Sequence, residues 1–228
     1  GTAVGTFSQR YANSTASSWV NYNVSVGYEA LRGSTTSADN TGNYNSTLGY
    51  QSLMSNTSGE KNIACGYQSL YSNTSGAFNI AHGSLALYSN TTGEANIAIG
   101  QNSLYTNTAG KDNTAIGYYS LQVSTGDNNT ANGYYSQYSN TTGYYNTSLG
   151  YAALYSNTVG YNNAAFGTWA DVGSNNLYGA TAIGYNATTN ANNRIYIGTS
   201  ANSENVGGYD GWQRSEERRV GKECRSRW

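Results

Sequence analysis

The chain has 228 residues, of which 37% are hydrophobic and only 10% charged, with 28 Gly, 23 Tyr and no Pro. So few aliphatic residues exclude a conventional thick core, and so little net charge excludes the usual disordered chain. Up to residue 213, five cations (Arg10, Arg32, Lys61, Lys111, Arg194) stand singly among nine acids, a net of −4, which excludes a basic patch for nucleic acid or an anionic membrane.

In chain order the predicted elements are coils of one repeat. Gly5 and Gly27 open the series at a spacing of 22, and NYNVSVGYEAL at 21–31 mirrors NYNSTLGYQSL at 43–53 around Gly49. From Gly49 the anchor glycine of an N-x-A-x-G pattern recurs every 17 residues, at Gly66, Gly83, Gly100 and Gly117. Gly133 follows at 16, Gly150, Gly167 and Gly184 at 17, and Gly198 at 14. A second column, Gly59 to Gly160, shortens at the same coil, so one residue is missing between Leu121 and Gly126. A period of 17 is too short for a helical repeat, and NIAIG alternates between turn signals such as SNTTG. Residues 1–198 are therefore predicted to be all-β, a parallel β-solenoid of about twelve coils, mostly 17 residues per coil. Stacked about 4.8 Å apart, such coils make a rod on the order of 55 Å long.

The columns predict which side chains point inward. Two residues before each anchor stands a small residue (Ala64, Ala81, Ala98, Ala115, Ala131, Ser148, Ala165, Ala182), and four after it a Leu, except at Gln137. Small facing large fills a narrow tube, so Ala, Gly and Leu are assigned to the interior. The opposite parity then faces outward: Ile63, Ile80, Ile97 and Thr114 beside Ile99, Ile116, Leu149, Phe166 and Ile183. An exposed apolar stripe is most simply covered by copies of itself, in a cyclic oligomer about the long axis. His82 and Asn132 lie in the stripe; a single His without nearby carboxylates or a second Cys falls short of metal-ligand spacing and reads as a tolerated polar residue.

The repeats NIACGYQSLYSNTSG and NTAIGYYSL resemble the head repeats of trimeric autotransporter adhesins over roughly residues 1–198. That resemblance implies a left-handed β-roll, a homotrimer, and an extracellular place on a cell surface. The 17-residue coil with its LYSNTTG turn is similar to phage tail-fibre shaft repeats, which precede an endosialidase-type intramolecular chaperone and would place the chain on a virion tail. NNRIYIGTSANSENVGGYDGW at 192–212 resembles the stretch leading into that chaperone, so residues 199–213 read as a lead-in to a missing C-terminal domain. Tyr196 takes the slot otherwise held by Ala, where the tube must open or end.

RSEERRVGKECRSRW at 214–228 carries six of the eleven cations, breaks the repeat and resembles a translated sequencing adapter; it is read as a non-native tail. The lone Cys65 outside that tail supports no disulfide framework. No apolar run approaches a membrane span. One His, acids in unrelated columns and no phosphate-loop Lys argue against an enzyme, a cofactor or a metal.

Binding reads from two columns. Tyr71, Tyr88, Tyr105, Tyr138 and Tyr155 lie five after the anchor, and Tyr67, Tyr118, Tyr134 and Tyr151 one after it. They are candidates for a host-surface glycan or protein receptor, or else simply support one another. The row Thr57, Thr74, Thr91, Thr108, Thr141 and Thr158 is similar to the ice-binding faces of antifreeze proteins and supplies the rival function.

Overall fold

Each anchor glycine is preceded by a three-residue strand, and these strands are the rungs of one sheet. The computed structural model describes residues 1–12 and 21–198 and the strand at 204–206. The strands are β1 (Thr2–Val4), β2 (Val24–Val26), β3 (Ser46–Leu48), β4 (Ile63–Cys65), β5 (Ile80–His82), β6 (Ile97–Ile99), β7 (Thr114–Ile116) and β8 (Thr130–Asn132). There follow β9 (Thr147–Leu149), β10 (Ala164–Phe166), β11 (Asp171–Val172), β12 (Thr181–Ile183), β13 (Thr188–Thr189), β14 (Ile195–Ile197) and β15 (Glu204–Val206).

From β1 to β10 and on through β12 and β14, each strand pairs in parallel with the next, and β11 and β13 form a small second sheet. The register is uniform, one anchor period per rung: Ala81 pairs with Ala98 and Ala98 with Ala115. The chain is a parallel β-solenoid. Its wide second coil spends its extra residues on a single 3-10 turn at Ser37–Asp39. The shortened coil keeps register because Thr125 still bonds Thr141, its amide donating to the carbonyl at 2.7 Å.

Ala and Leu line the tube. Ala81, Ala98, Ala115 and Ala131 are wholly buried, as are Leu53, Leu70, Leu87, Leu104, Leu121 and Leu154. Gln137 fills the odd Leu slot equally buried, its amide donating to the Thr130 carbonyl at 2.9 Å and to Ser148 Oγ at 3.0 Å. The glycines differ from expectation. Anchor glycines sit at the corner where coils touch, not inside: a Cβ on Gly83 would lie 2.6 Å from the Gly100 carbonyl oxygen.

Most of the interior is polar, which the Ala and Leu columns do not announce. Four residues before each anchor, Asn45, Asn62, Asn79, Asn96, Asn113, Asn129, Asn146 and Asn163 are buried in one continuous ladder. Each side-chain oxygen accepts the backbone amide of the corresponding residue one coil on, and each side-chain amide donates to a carbonyl of the second glycine column, except Asn163, which donates to the Leu177 carbonyl. A second ladder runs through Asn56, Asn73, Asn90 and Asn107, with each side-chain amide donating to the preceding Asn oxygen at 2.8–3.1 Å. Ser124 breaks it in the short coil, where its hydroxyl lacks a protein partner. A thin polar tube is stable because its buried amides satisfy one another.

Three residues per coil bend the chain through the left-handed region: those two and four after the anchor and the one preceding the ladder Asn, such as Gln68, Leu70 and Phe78 (φ 50°, 51°, 61°). A side chain there costs roughly 1–2 kcal/mol. Ala95 (φ 55°) is exposed and has no packing to lose. Ala95→Gly is therefore expected to stabilise the rod, by about 0.5–1 kcal/mol, seen as a higher urea midpoint with an unchanged slope.

At the C-terminal end Tyr196 occupies the Ala slot opposite Ala182, and β15 then pairs antiparallel with β14. The parallel stack stops there. Residues 207–228, and with them the tail and most of the lead-in, lie outside the described residues.

Candidate functional site

The first and third residues of every rung face away from the tube, because side chains alternate along a strand. Along all twelve parallel rungs not one of these positions is charged. Leu149 is 51% exposed, Ile63 47%, and Ile99 and Phe166 39% each, whereas Ile80, Ile97, Ile116 and Ile183 are half-buried by their neighbours. Register makes two lines of these: Ile63, Ile80, Ile97 and Thr114 on one side, and Ile99, Ile116, Asn132, Leu149, Phe166 and Ile183 on the other. Such a face is flat, rigid and free of any charge that would forbid burial against another copy.

The tyrosines form stacks, but not one uninterrupted ladder. Tyr71, Tyr88 and Tyr105 stack at 5.1 and 5.2 Å, and Tyr138 with Tyr155 at 5.5 Å. Gln122 holds the same column position between the two groups. One position after the anchor, Tyr28, Tyr50 and Tyr67 form one stack and Tyr118, Tyr134 and Tyr151 another. Ring planes within a stack lie only 5–13° apart, so the rings spend their faces on one another. What a partner meets over most of the rod is ring edges and hydroxyls, which lowers the worth of the five-tyrosine column as a stacking platform.

One region differs. The Tyr118–Tyr119 and Tyr134–Tyr135 doublets place rings edge to face at 4.2 and 4.4 Å. Tyr135 also meets Tyr138 at 5.0 Å, and Trp169 reaches both Tyr151 and Tyr155, at 5.6 and 5.7 Å. Two separate columns thus merge into one aromatic patch across four coils. Tyr119, Tyr135 and Trp169 are the joining residues, and their signal in the sequence is an aromatic two positions after the anchor.

The patch also controls alkaline behaviour. The Tyr118 hydroxyl, hydrogen-bonded to Tyr119 and partly desolvated by neighbouring rings, is pushed up to about 12, and Tyr134 is raised by its bond to Tyr135 and by the same partial desolvation. Between the ordinary value of 10.0 and these raised values the folded chain holds more protons than the unfolded one. Stability is therefore complete below that window and falls as pH rises through it. The urea midpoint is expected to drop between about pH 10 and pH 12, and less so in Tyr118→Phe/Tyr134→Phe.

The threonine row has little hydroxyl to offer. Thr57, Thr74, Thr91 and Thr141 each donate the side-chain hydroxyl to the carbonyl one coil on, at 2.9–3.1 Å. They lie in turns, not on a strand face. Among the described residues no group of three His, Cys, Asp or Glu converges within one chain, and no helix is long and apolar enough to cross a membrane. A shallow groove of about 310 Å³ near Thr125, Thr142 and Tyr145 holds one acid, Asp127, whose Oδ1 already accepts the Lys111 amide at 2.8 Å. Comparison of the chain with protein-family models, with curated proteins and with solved structures finds no match.

Proposed function

We propose that this chain is the self-assembling, adhesive shaft of an extracellular fibre, a homotrimer about the rod axis. The observation that carries the assembly is the uncharged, partly apolar face running along all twelve parallel rungs. Exposed apolar positions repeated at most coils are costly to leave in water, and a second copy in the same direction covers them in register. The number three rests on the resemblance to trimeric adhesin and tail-fibre repeats. The adhesive role falls to the aromatic patch around Tyr134, Tyr151 and Trp169, each about 40% exposed, where a glycan or protein receptor finds large contact area at low entropic cost.

Sedimentation of the full chain at micromolar concentration tests the assembly. The expected species is a trimer, and Ile99→Lys/Leu149→Lys is expected to sediment as a monomer with an unchanged far-UV spectrum, because a buried unpaired charge is not tolerated. A stable wild-type monomer would remove the proposal. Inhibition of ice recrystallisation by the same preparation would favour the antifreeze-like alternative instead.

A further inference from the structure

We propose that Cys65 and His82 are part of a transition-metal site, completed by the same residues of the neighbouring copies in the trimer. The proposal rests on the self-assembly just described, and it adds a ligand to it. Cys65 and His82 are register partners on adjacent parallel rungs, both in the third, outward position. His82 is the single His of the chain, and Cys65 is the one free Cys among the described residues. Of all the outward positions along the rungs, the only sulfur and the only imidazole therefore stand side by side.

Rung spacing brings the two Cα atoms to about 4.8 Å. Thiolate and imidazole ligands of a tetrahedral ion sit roughly 3.5 Å apart, given metal–S and metal–N bonds of about 2.3 and 2.0 Å. Two parallel neighbours on a flat sheet reach that separation by side-chain rotation alone. His82 is exposed and Cys65 partly so, so both are available to an ion from outside the tube.

The surroundings suit a closed site. Leu48 and Ile99 flank the pair along the column, and Ile63 and Ile80 lie beside it in the same two rungs. No carboxylate or cation occupies an outward position on any of these strands. An apolar shell of this kind excludes water and competing oxygen ligands once covered. One chain supplies only two donors, which is why no group of three exists within it. The other two copies of the trimer present Cys65 and His82 at the same heights, and four of these thiolates and imidazoles close the tetrahedron that Zn²⁺ takes in structural sites. Each Cys65 thiol gives up its proton to the solvent as its sulfur binds, so loading releases one proton per thiolate and involves no change of oxidation state.

The test is a Co²⁺ titration of the reduced full chain carrying Cys224→Ser, which removes the second thiol of the sequence. Co²⁺ reports tetrahedral thiolate ligation through intense d–d bands and a sulfur-to-metal charge-transfer band. Sedimentation and far-UV circular dichroism are run on the same samples. The expected result is both bands, saturating at less than one Co²⁺ per chain, displaced by Zn²⁺, and an assembly that survives at least tenfold greater dilution with metal. Cys65→Ser and His82→Asn should each abolish the bands while leaving the fold intact, the latter because this column already carries Asn132. An assembled wild type without those bands overturns the metal site and leaves the assembly standing. Bands that persist in His82→Asn, or a Cys65–Cys65 disulfide with no metal uptake after reduction, also overturn it. A wild type that stays monomeric with and without metal overturns the assembly and this site together.

Discussion

Gly100→Ala is expected to break the rod in the middle. Gly100 has φ +128°, a backbone region side chains rarely enter, and an added Cβ would lie 2.5 Å from the Gly117 carbonyl oxygen and 2.7 Å from its carbon. Both neighbours are backbone of the next coil, so no rotamer change relieves the clash. Relief requires the coils to part, and that stretches the rungs beside it, in which Gly100 N donates to the His82 carbonyl at 2.8 Å and Gly117 N to Ile99 at 2.7 Å. The strained φ alone costs about 1–3 kcal/mol, and with the lost rung bonds the total exceeds about 4 kcal/mol. Repeat proteins couple mainly nearest neighbours, so the damage divides the solenoid instead of spreading evenly. Urea unfolding should change from one transition to two, and limited proteolysis should open near residues 100–117. Gln101→Ala, next door but exposed, should shift the midpoint by less than about 0.5 kcal/mol.

Asn79→Ala is expected to be nearly as damaging, although it replaces a polar residue by Ala, a residue that fits inside the tube elsewhere. Asn79 is wholly buried. Its side-chain amide donates to the Gly93 carbonyl at 2.8 Å and to Asn62 Oδ1 at 3.2 Å. Its oxygen accepts the Asn96 backbone amide at 3.0 Å and the Asn96 side-chain amide at 3.1 Å. Truncation orphans the Asn96 backbone amide, at roughly 1–3 kcal/mol, takes from the Gly93 carbonyl one of its two donors (Asn90 Nδ2 remains at 3.1 Å), and adds a small cavity. A loss of about 2–5 kcal/mol of stability, read as a lower urea midpoint, is the expected outcome. Asn79→Asp keeps the shape and the acceptor but turns the donor into a second acceptor facing two oxygens. Its carboxyl is held protonated in the fold, so its folded value lies above the ordinary one. The penalty is then small at low pH and grows as pH rises through that window; an Asp variant whose stability ignores pH would count against this ladder.

Much of this protein is legible along the chain because it is written in one dimension. The 17-residue spacing of Gly49, Gly66, Gly83 and Gly100 sets the coil length, and strand alternation about those glycines separates Ala98 inside from Ile97 and Ile99 outside. Both follow from geometry that each coil repeats. The aromatic and outward apolar columns are visible in the same way, since a shared offset from the anchor places residues above one another. Even the neighbourhood of Cys65 and His82 is encoded, because they stand one period apart.

What the coil offsets do not carry is how columns meet and what each side chain does once there. Leu70 and Tyr135 adopt φ of 51° and 57°, against their own preference, because coil-to-coil bonding outweighs the local cost. The Asn of N-x-A-x-G marks the repeat without announcing a role, yet it is the buried spine, since a side chain that both donates and accepts satisfies the carbonyls and amides of a tube this thin. The anchor glycines are required by the closeness of the next coil and not by the interior. Identical tyrosines spend their faces on one another, whereas the Tyr118–Tyr119 and Tyr134–Tyr135 doublets bring two columns into contact around a corner. Period and parity are properties of a single coil, and so the sequence alone determines them. The satisfaction of buried amides, the φ of each corner and the merging of columns depend on distances between coils, and these only the tertiary structure decides.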